Sequence, residues 1–237
     1  MSAFRGRGRN GAVTACDRYV VILFRPLLPC VLLAAVVAGC SSSQGGQAQS
    51  EQAATQVVTV VAVDKLGNPA PGYEVEASDG FVESCYASPA GGEGLASCSP
   101  TAAGADVCWV DSDRVTLLCG TDPWEKKLVR MTSDEEIGTL TPKPTPDPWG
   151  LVLADGARCR LRNGGSWGGR ADGWVGAYSC DRGEGEYVLV DQNAPDTVVD
   201  RSGPVWHVRI GALGGADEQF PAPTPIAVTT AYFAGTP

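Results

Sequence analysis

The sequence predicts a mainly β fold that is braced by disulfides and contains little helix. Short runs rich in β-branched and aromatic residues recur along the chain, and clusters of turn residues separate them. Long stretches with the 3.6-residue hydrophobic period of an amphipathic helix are missing from the sequence. Six cysteines follow residue 40, an even set that is typical of a disulfide framework. We therefore expect a β-sandwich-like or antiparallel sheet body.

The chain begins with the features of a secretory signal peptide. Five arginines precede the apolar run 27–38, which is too short to span a bilayer because a helix needs about 20 apolar residues. The run ends in Val37-Ala38-Gly39-Cys40, which resembles the lipobox of bacterial lipoprotein precursors. The resemblance implies cleavage before Cys40 and a diacylglycerol thioether on its sulfur. An ordinary signal peptide with an incidental Cys40 is the alternative.

The first two expected segments are a signal peptide, 1–39, and a lipidated Cys with a flexible tether, 40–56. The second segment is rich in Ser, Gln, Gly and Ala, which bury too little surface to fold. Each buried methylene of an acyl chain contributes about 0.8 kcal/mol, so two chains give lasting attachment. We expect the protein on the extracytoplasmic face of the cell membrane, with membrane lipid as its partner through Cys40.

The charge of the remaining chain argues against a nucleic-acid partner. Residues 1–39 hold five of the 18 basic and one of the 27 acidic residues, which leaves 13 basic and 26 acidic residues. Neutralisation of phosphates by basic side chains supplies most of the affinity of such complexes. An acidic exported protein is therefore expected to have other partners, such as an envelope glycan or a membrane protein.

The next expected segment, 57–139, is a Cys-rich β subdomain. It opens with a β-branched run, 57–64, and a turn at 65–69. The sequence from residue 57 to 77 resembles the opening hairpin of prealbumin-like sandwich modules. After a Cys-, Gly- and Ser-rich stretch, the runs 105–110 and 114–119 predict a second hairpin.

A short helix is predicted to follow that hairpin. Asp122 is suited to the N-cap and Pro123 to the first helical position, and Glu125 adds an acidic first turn. The Pro-rich segment 140–148 then favours a semi-rigid polyproline II linker. A bridging loop over one continuous domain is the alternative for this segment.

The last expected segment, 149–237, is a C-terminal β subdomain. Asp155-Gly156 joins two apolar-bearing runs, 149–154 and 157–162, and predicts a hairpin. Alternation in its second run puts Cys159 and Leu161 on one side and the arginines on the other. Four further strands are predicted, at 174–180, 186–191, 205–210 and 226–234.

The six cysteines after residue 40 allow 15 pairings, and the sequence alone does not select one of them. We predict that each cysteine pairs with its nearest neighbour in the sequence. The sequence singles out Cys159 and Cys180 as a pair, because the other four cysteines lie on the far side of the linker 140–148. The predicted bridges are Cys85–Cys98, Cys108–Cys119 and Cys159–Cys180.

The chain carries, in order, the lipobox VAGC, the motifs DVCW, LLC and DPW, and the run CRLRNGGSWGGR. This set of motifs resembles a group of uncharacterised secreted proteins and lipoproteins of mycobacteria and related actinobacteria. The match covers roughly residues 57–234, and GGSWGGR is its most specific piece. The resemblance implies an envelope protein with paired cysteines, and it implies no activity and no catalytic residue.

One motif raises the possibility of a serine hydrolase. Ser166 lies in G-x-S-x-G, and an Asp followed by His207 would complete the order Ser…Asp…His, with Asp191, Asp196 or Asp200 as the acid. A nucleophile elbow needs a strand, a turn and a helix, whereas Gly168 and Gly169 after the serine favour a loop. Glycines that approach a strand or Trp167 closely explain the motif better, so we expect no enzyme.

A basic and aromatic patch is the predicted ligand site. Guanidinium groups bind phosphates and carboxylates with two hydrogen bonds, and indole faces stack on sugar rings. Such a patch suits an anionic envelope glycan or lipid headgroup, although a solvated strand face is the simpler alternative. Its predicted members are Arg158, Arg160, Arg162, Trp167, Arg170 and Trp174.

The expected function is a binding or structural module of the cell envelope. No metal or cofactor is expected, because the chain has one histidine, His207, and no C-x-x-C pair. We expect His207 to lie on a partly exposed strand face. The alternatives are a serine hydrolase that uses Ser166 and an accessory protein that docks on a membrane partner through exposed tryptophans.

Overall fold

The computed structural model describes residues 53–100, 104–162, 167–182 and 185–237, with only the backbone described at 77–79. Residues 49–237 form one compact unit. Thirteen strands and a single three-residue 3₁₀ helix, Pro195–Thr197, make up the regular structure of the described part. The predicted mainly β, disulfide-braced fold with little helix is confirmed.

The strands are numbered here in chain order. They are β1 Gln56–Val60, β2 Glu74–Val82, β3 Ser84–Ala87, β4 Leu95–Ser99, β5 Val107–Val110, β6 Thr116–Gly120, β7 Lys127–Ser133, β8 Gly150–Leu153, β9 Arg158–Leu161, β10 Trp174–Cys180, β11 Glu186–Asp191, β12 Trp206–Ala212 and β13 Thr224–Ala234.

The second half of the chain closes into a six-stranded antiparallel barrel. Strands β8 to β13 pair in chain order, and β13 returns to pair with β8. This closure is possible because β13 has 11 residues and a register shift between Val228 and Thr230 divides its pairing with β8. Strand β1 adds to the barrel by pairing with β13 in parallel.

The first half forms an open six-stranded sheet in the order β2-β7-β6-β5-β4-β3, in which only β2 and β7 are parallel. Alternation along each strand sends side chains to two cores. Val107 and Trp109 join the core that also holds the barrel residues, whereas Cys108 belongs to a smaller cluster on the opposite face with Leu117 and Met131.

The open sheet and the barrel share the larger core. Trp109 of β5 meets Trp149 edge to face, with ring centroids 5.9 Å apart. Its indole Nε1 also donates a hydrogen bond of 2.9 Å to the carbonyl of Gly235 at the end of β13. Segment 140–148 therefore runs between two sheets that belong to the same compact unit.

The predicted disulfide pairing is confirmed. The three bridges are Cys85–Cys98, Cys108–Cys119 and Cys159–Cys180. In each bridge the two cysteines lie directly opposite each other on adjacent antiparallel strands. Their Cα atoms are 4.1, 3.9 and 3.9 Å apart, because opposite residues of an antiparallel pair approach most closely at non-hydrogen-bonded positions.

Two local predictions fail in whole or in part. In the run at 57–77 the turn is closed by an antiparallel bridge between Val63 and Pro69, but β1 and β2 do not pair with each other, because β1 joins the barrel sheet and β2 the open sheet. The predicted helix at Asp122 is absent, because residues 122–126 have no helical structure. The Asp122 carboxylate does accept hydrogen bonds of 2.9 Å from the N–H groups of Trp124 and Glu125, but the chain then extends into β7.

Candidate functional site

The arginines of β9 lie on the outer wall of the barrel, as alternation with Cys159 and Leu161 predicts. The guanidinium of Arg158 lies 5.7 Å from the ring centroid of Trp124, and Arg160 donates a hydrogen bond of 3.2 Å to the Thr121 carbonyl. A depression of about 340 Å³ beside them is also lined by three carboxylates, those of Asp122, Glu125 and Asp181. This part of the predicted patch therefore carries mixed charge.

A separate stack forms around Trp167. The guanidinium of Arg162 lies 4.5 Å from the ring centroid of Trp167, and Tyr187 meets the same indole edge to face at 5.6 Å. Gly176 on β10 makes room for the ring, since a Cβ there would lie 2.3 Å from its Cε3 atom. Because Gly176 lets the indole lie directly on β10, the position of Trp167 is explained by packing on this strand.

Arg170 is buried and serves the fold, so it does not belong to an exposed patch. Its Nε and Nη2 atoms donate to the Asp172 carboxylate at 2.9 and 2.6 Å. Two further hydrogen bonds go to the carbonyls of Ala212 and Pro221, at 3.1 and 2.8 Å. The prediction of a ligand-binding Arg170 is corrected, because its guanidinium is already occupied in holding Asp172, the end of β12 and the segment at Pro221 together.

The proposed nucleophile, Ser166, lies outside the described residues. His207 is on the outer face of β12 with Arg209, as predicted, while Val208 lies in the core. Asp200 exchanges two backbone hydrogen bonds with His207, at 2.8 and 3.0 Å, and so closes the hairpin 200–207. Of the three acids considered with Ser166, Asp200 is therefore the one whose backbone pairs with that of His207.

One cleft in the described part lies beside β12, and we call it the β12 cleft. It has a volume of about 510 Å³. Trp174 at the start of β10, which was predicted as a ligand-binding residue, forms part of its wall. The other lining residues are Leu189, Asp196, Thr197, Val198, Val199, Asp200, Arg201, His207, Val208, Arg209 and Pro225.

The two arginines of the β12 cleft are held by their neighbours. Arg201 lies 5.0 Å from the ring centroid of Trp206 and donates a hydrogen bond of 2.9 Å to the Pro146 carbonyl. Arg209 lies 5.8 Å from the ring of Trp174 and donates to the Pro223 carbonyl at 3.3 Å. A guanidinium carries five N–H donors, so each arginine keeps others for a ligand.

The carboxylates of the β12 cleft, those of Asp196 and Asp200, lie beside cationic side chains. Hydrogen bonds from Ser202 hold the pKa of Asp200 below its ordinary value, and the charges of His207 and Arg209 lower this pKa further. Asp196 forms an ion pair of 2.8 Å with Lys143. The cleft therefore offers both cationic donors and anionic acceptors beside an aromatic ring.

Sequence reasoning placed Trp174 and His207 correctly on their strands but did not bring them together. It also gave no binding role to Arg201 or Arg209. The one available signal was the alternation in VWHVRI, which puts His207 and Arg209 on the same side of β12. The return of Asp200 to pair with His207 is a hairpin contact that alternation does not reveal.

No family model, no curated protein and no solved structure matches this chain. Within the described ranges, no helix is long and apolar enough to cross a membrane. The same residues contain no group of three or more His, Cys, Asp or Glu side chains that could hold a metal ion.

Proposed function

We propose that the protein is a lipid-anchored binding module on the extracytoplasmic face of the cell membrane and has no enzymatic activity of its own. Its anchor is Cys40, acylated after cleavage of residues 1–39. The three disulfides support export, because they take up all six cysteines that follow residue 40 and stable disulfides are typical of oxidising compartments.

The observation that carries the binding role is the β12 cleft. Its volume of about 510 Å³ lies within the roughly 300–1,000 Å³ of small-molecule sites. Such sites combine apolar walls with a few polar groups that fix the orientation of the ligand. Leu189 and Pro225 supply apolar wall in this cleft, while Arg201, Asp200 and His207 supply polar groups.

Docking on a membrane protein is a second candidate function, and one observation favours it. Phe81 and Tyr86 are 57% and 70% exposed in the open sheet, and exposed aromatic side chains are enriched at protein interfaces. The tryptophans expected in that role are all buried or half-buried in the described part. The docking surface of this alternative therefore involves β2 and β3, the two edge strands of the open sheet.

Metabolic labelling with an alkyne analogue of palmitate tests the anchor. We expect the wild-type protein to carry the label and the Cys40→Ser variant to lose it completely. Cys30→Ser is the matched control, since it removes a thiol from the leader and should leave labelling unchanged. An unlabelled wild-type protein, or equal labelling of Cys40→Ser, would contradict the proposal.

Fluorophosphonate labelling of the purified protein decides the hydrolase alternative. We expect no covalent label, because the role proposed for the cleft needs no activated serine. A label that disappears in Ser166→Ala and in His207→Ala would establish a serine nucleophile with His207 as its base, and it would overturn the non-enzymatic proposal.

A further inference from the structure

Thr55, near the first of the described residues, is hydrogen-bonded to the hairpin that forms part of the β12 cleft. The N–H of Thr55 donates a hydrogen bond of 2.9 Å to the Pro204 carbonyl. Its hydroxyl donates to the Val228 carbonyl at 2.7 Å and accepts from the N–H of Trp206 at 2.8 Å. Residue 55 is thus bonded to the hairpin 200–207, and three residues of that hairpin line the cleft.

Chain length keeps the cleft close to the anchor. Thr55 is the fifteenth residue after Cys40, so the two are at most roughly 50 Å apart even in a fully extended chain. A cleft beside residue 55 can therefore reach molecules in the surface of the membrane that holds Cys40. This step rests on the proposed function.

The lining of the cleft indicates the chemistry of the ligand. Arg201 and Arg209 offer the planar donor forks that fit a phosphate. A bare phosphate would also face the ionised carboxylate of Asp200, which repels it. Hydroxyl groups on the ligand remove this conflict because they donate hydrogen bonds to a carboxylate, and the Trp174 indole provides a surface for the ring that carries them.

We infer that the β12 cleft binds a hydroxylated ring that carries a phosphate, presented as the headgroup of a membrane lipid. The phosphate lies against Arg209 and Arg201. The ring lies against Trp174, and its hydroxyls bond to Asp200 and His207. A soluble ring phosphate offers the same groups as the lipid headgroup, and the experiment distinguishes these two ligands.

The test is calorimetric titration of the purified full chain in detergent with two ring phosphates. One is soluble inositol 1-phosphate, and the other is dihexanoyl phosphatidylinositol, a short-chain lipid with the same headgroup. We expect both to bind. Inorganic phosphate and free inositol should each bind at least tenfold more weakly. Inorganic phosphate lacks the ring that lies against Trp174, and free inositol lacks the phosphate that lies against the two arginines.

Two variants tie the binding to the cleft. Arg209→Ser and Trp174→Leu should each weaken binding of both probes at least tenfold, and thermal unfolding checks that they fold. Arg130→Ser is the matched control, because Arg130 is exposed on β7 in the open sheet, and it should bind as the wild type does. Two variants are used because Trp174 is half-buried and its loss alone could disturb β10.

Several outcomes would overturn the inference. Inorganic phosphate that binds as tightly as inositol 1-phosphate would exclude a ring ligand. Unchanged binding by a folded Arg209→Ser variant would exclude this cleft. Binding of inositol 1-phosphate without binding of the lipid would exclude a membrane source. A protein that is labelled at Cys40 but binds neither probe overturns this inference alone, whereas loss of labelling overturns the proposed anchor.

Discussion

Arg170 shows how a single residue can be misjudged from sequence. Its neighbours in GGSWGGR are glycines and a tryptophan, a composition that suggests an exposed, adaptable loop. The side chain is nevertheless fully buried, and its ion pair with Asp172 measures 2.6 Å. A buried guanidinium needs partners for its N–H groups, and the carbonyls that provide them belong to Ala212 and Pro221, about 40 to 50 residues away.

Asp172 should make the stability of the protein depend on pH. The hydrogen bond from Arg170 is the main cause that lowers the pKa of Asp172 from 3.8 to about 2. Because this folded-state pKa is below the unfolded value, the ionised carboxylate contributes stability above pH 3.8 that is lost as the pH falls towards 2. Asp172→Asn should therefore be less stable than the wild type at neutral pH, and the difference should shrink between pH 4 and pH 2.

Urea unfolding midpoints at several pH values measure this difference. The matched control is Asp134→Asn, an exposed carboxylate with no ion pair in the part of the chain that the structure describes. Its stability should differ from that of the wild type by less than about 0.5 kcal/mol, as for most surface substitutions. If the difference in stability between Asp172→Asn and the wild type stays constant down to pH 2, the pairing of Asp172 with Arg170 does not stabilise the fold.

At the scale of elements, the segment from Trp167 to Gly169 is held against the barrel by close approach of the backbone. Gly169 and Gly214 exchange hydrogen bonds of 2.7 and 3.0 Å. A Cβ at Gly169 would lie 2.7 Å from the Cα atom of Ala216. Gly168 and Gly169 therefore serve packing, which agrees with the interpretation of these glycines from the sequence.

Gly176→Ala should destabilise the protein by about 1–3 kcal/mol, the usual cost of overpacking. The added methyl group would lie 2.3 Å from the Trp167 ring, so either the strand or the indole has to move. Chemical denaturation measures the loss, and Gly138→Ala is the control because its Cβ meets no atom within 4 Å. Equal stability of the two variants would contradict the packing of Trp167 on β10.

Local patterns predicted the elements whose partners are near in sequence. The hairpins β5–β6 and β8–β9 have short turns and clear alternation, and both were predicted. Strand β7 was missed because the cap at Asp122 suggests a helix, and the tertiary pairing with β6 and β2 prevails over that signal. The cysteines of β3 and β4 gave the correct bridge although the strands themselves were hidden in a Gly- and Ser-rich stretch.

At the scale of the whole molecule, long-range pairing explains what the sequence could not predict. Barrel closure joins β8 to β13 across about 75 residues, and β1 joins β13 across more than 170. Alternation specifies which side of a strand is buried but not which strand lies beside it. The β12 cleft forms only in the assembled barrel sheet, because its walls come from β10, β11, β12, β13, residues 196–199 and the hairpin 200–207.

Because the barrel and the open sheet share one core, we expect them to unfold cooperatively. Trp149 is 1% exposed and contacts the open sheet, since the ring lies 2.7 Å from where a Cβ on Gly120 of β6 would be. If the barrel and the open sheet depend on this contact, they unfold together. Calorimetry should then show one transition whose calorimetric and van't Hoff enthalpies agree.

Trp149→Ala extends this test to both sheets at once. The substitution should lower stability by about 3–5 kcal/mol, as for other buried aromatic truncations. Native-state hydrogen exchange should report the same loss at Leu118 in the open sheet and at Val188 in the barrel, because amides protected by global unfolding share one free energy. Phe81→Ala is the control, since that side chain is 57% exposed and its removal should leave both amides nearly unchanged. Loss of protection at Val188 alone would show that the two sheets unfold separately, and segment 140–148 would then join two independent domains.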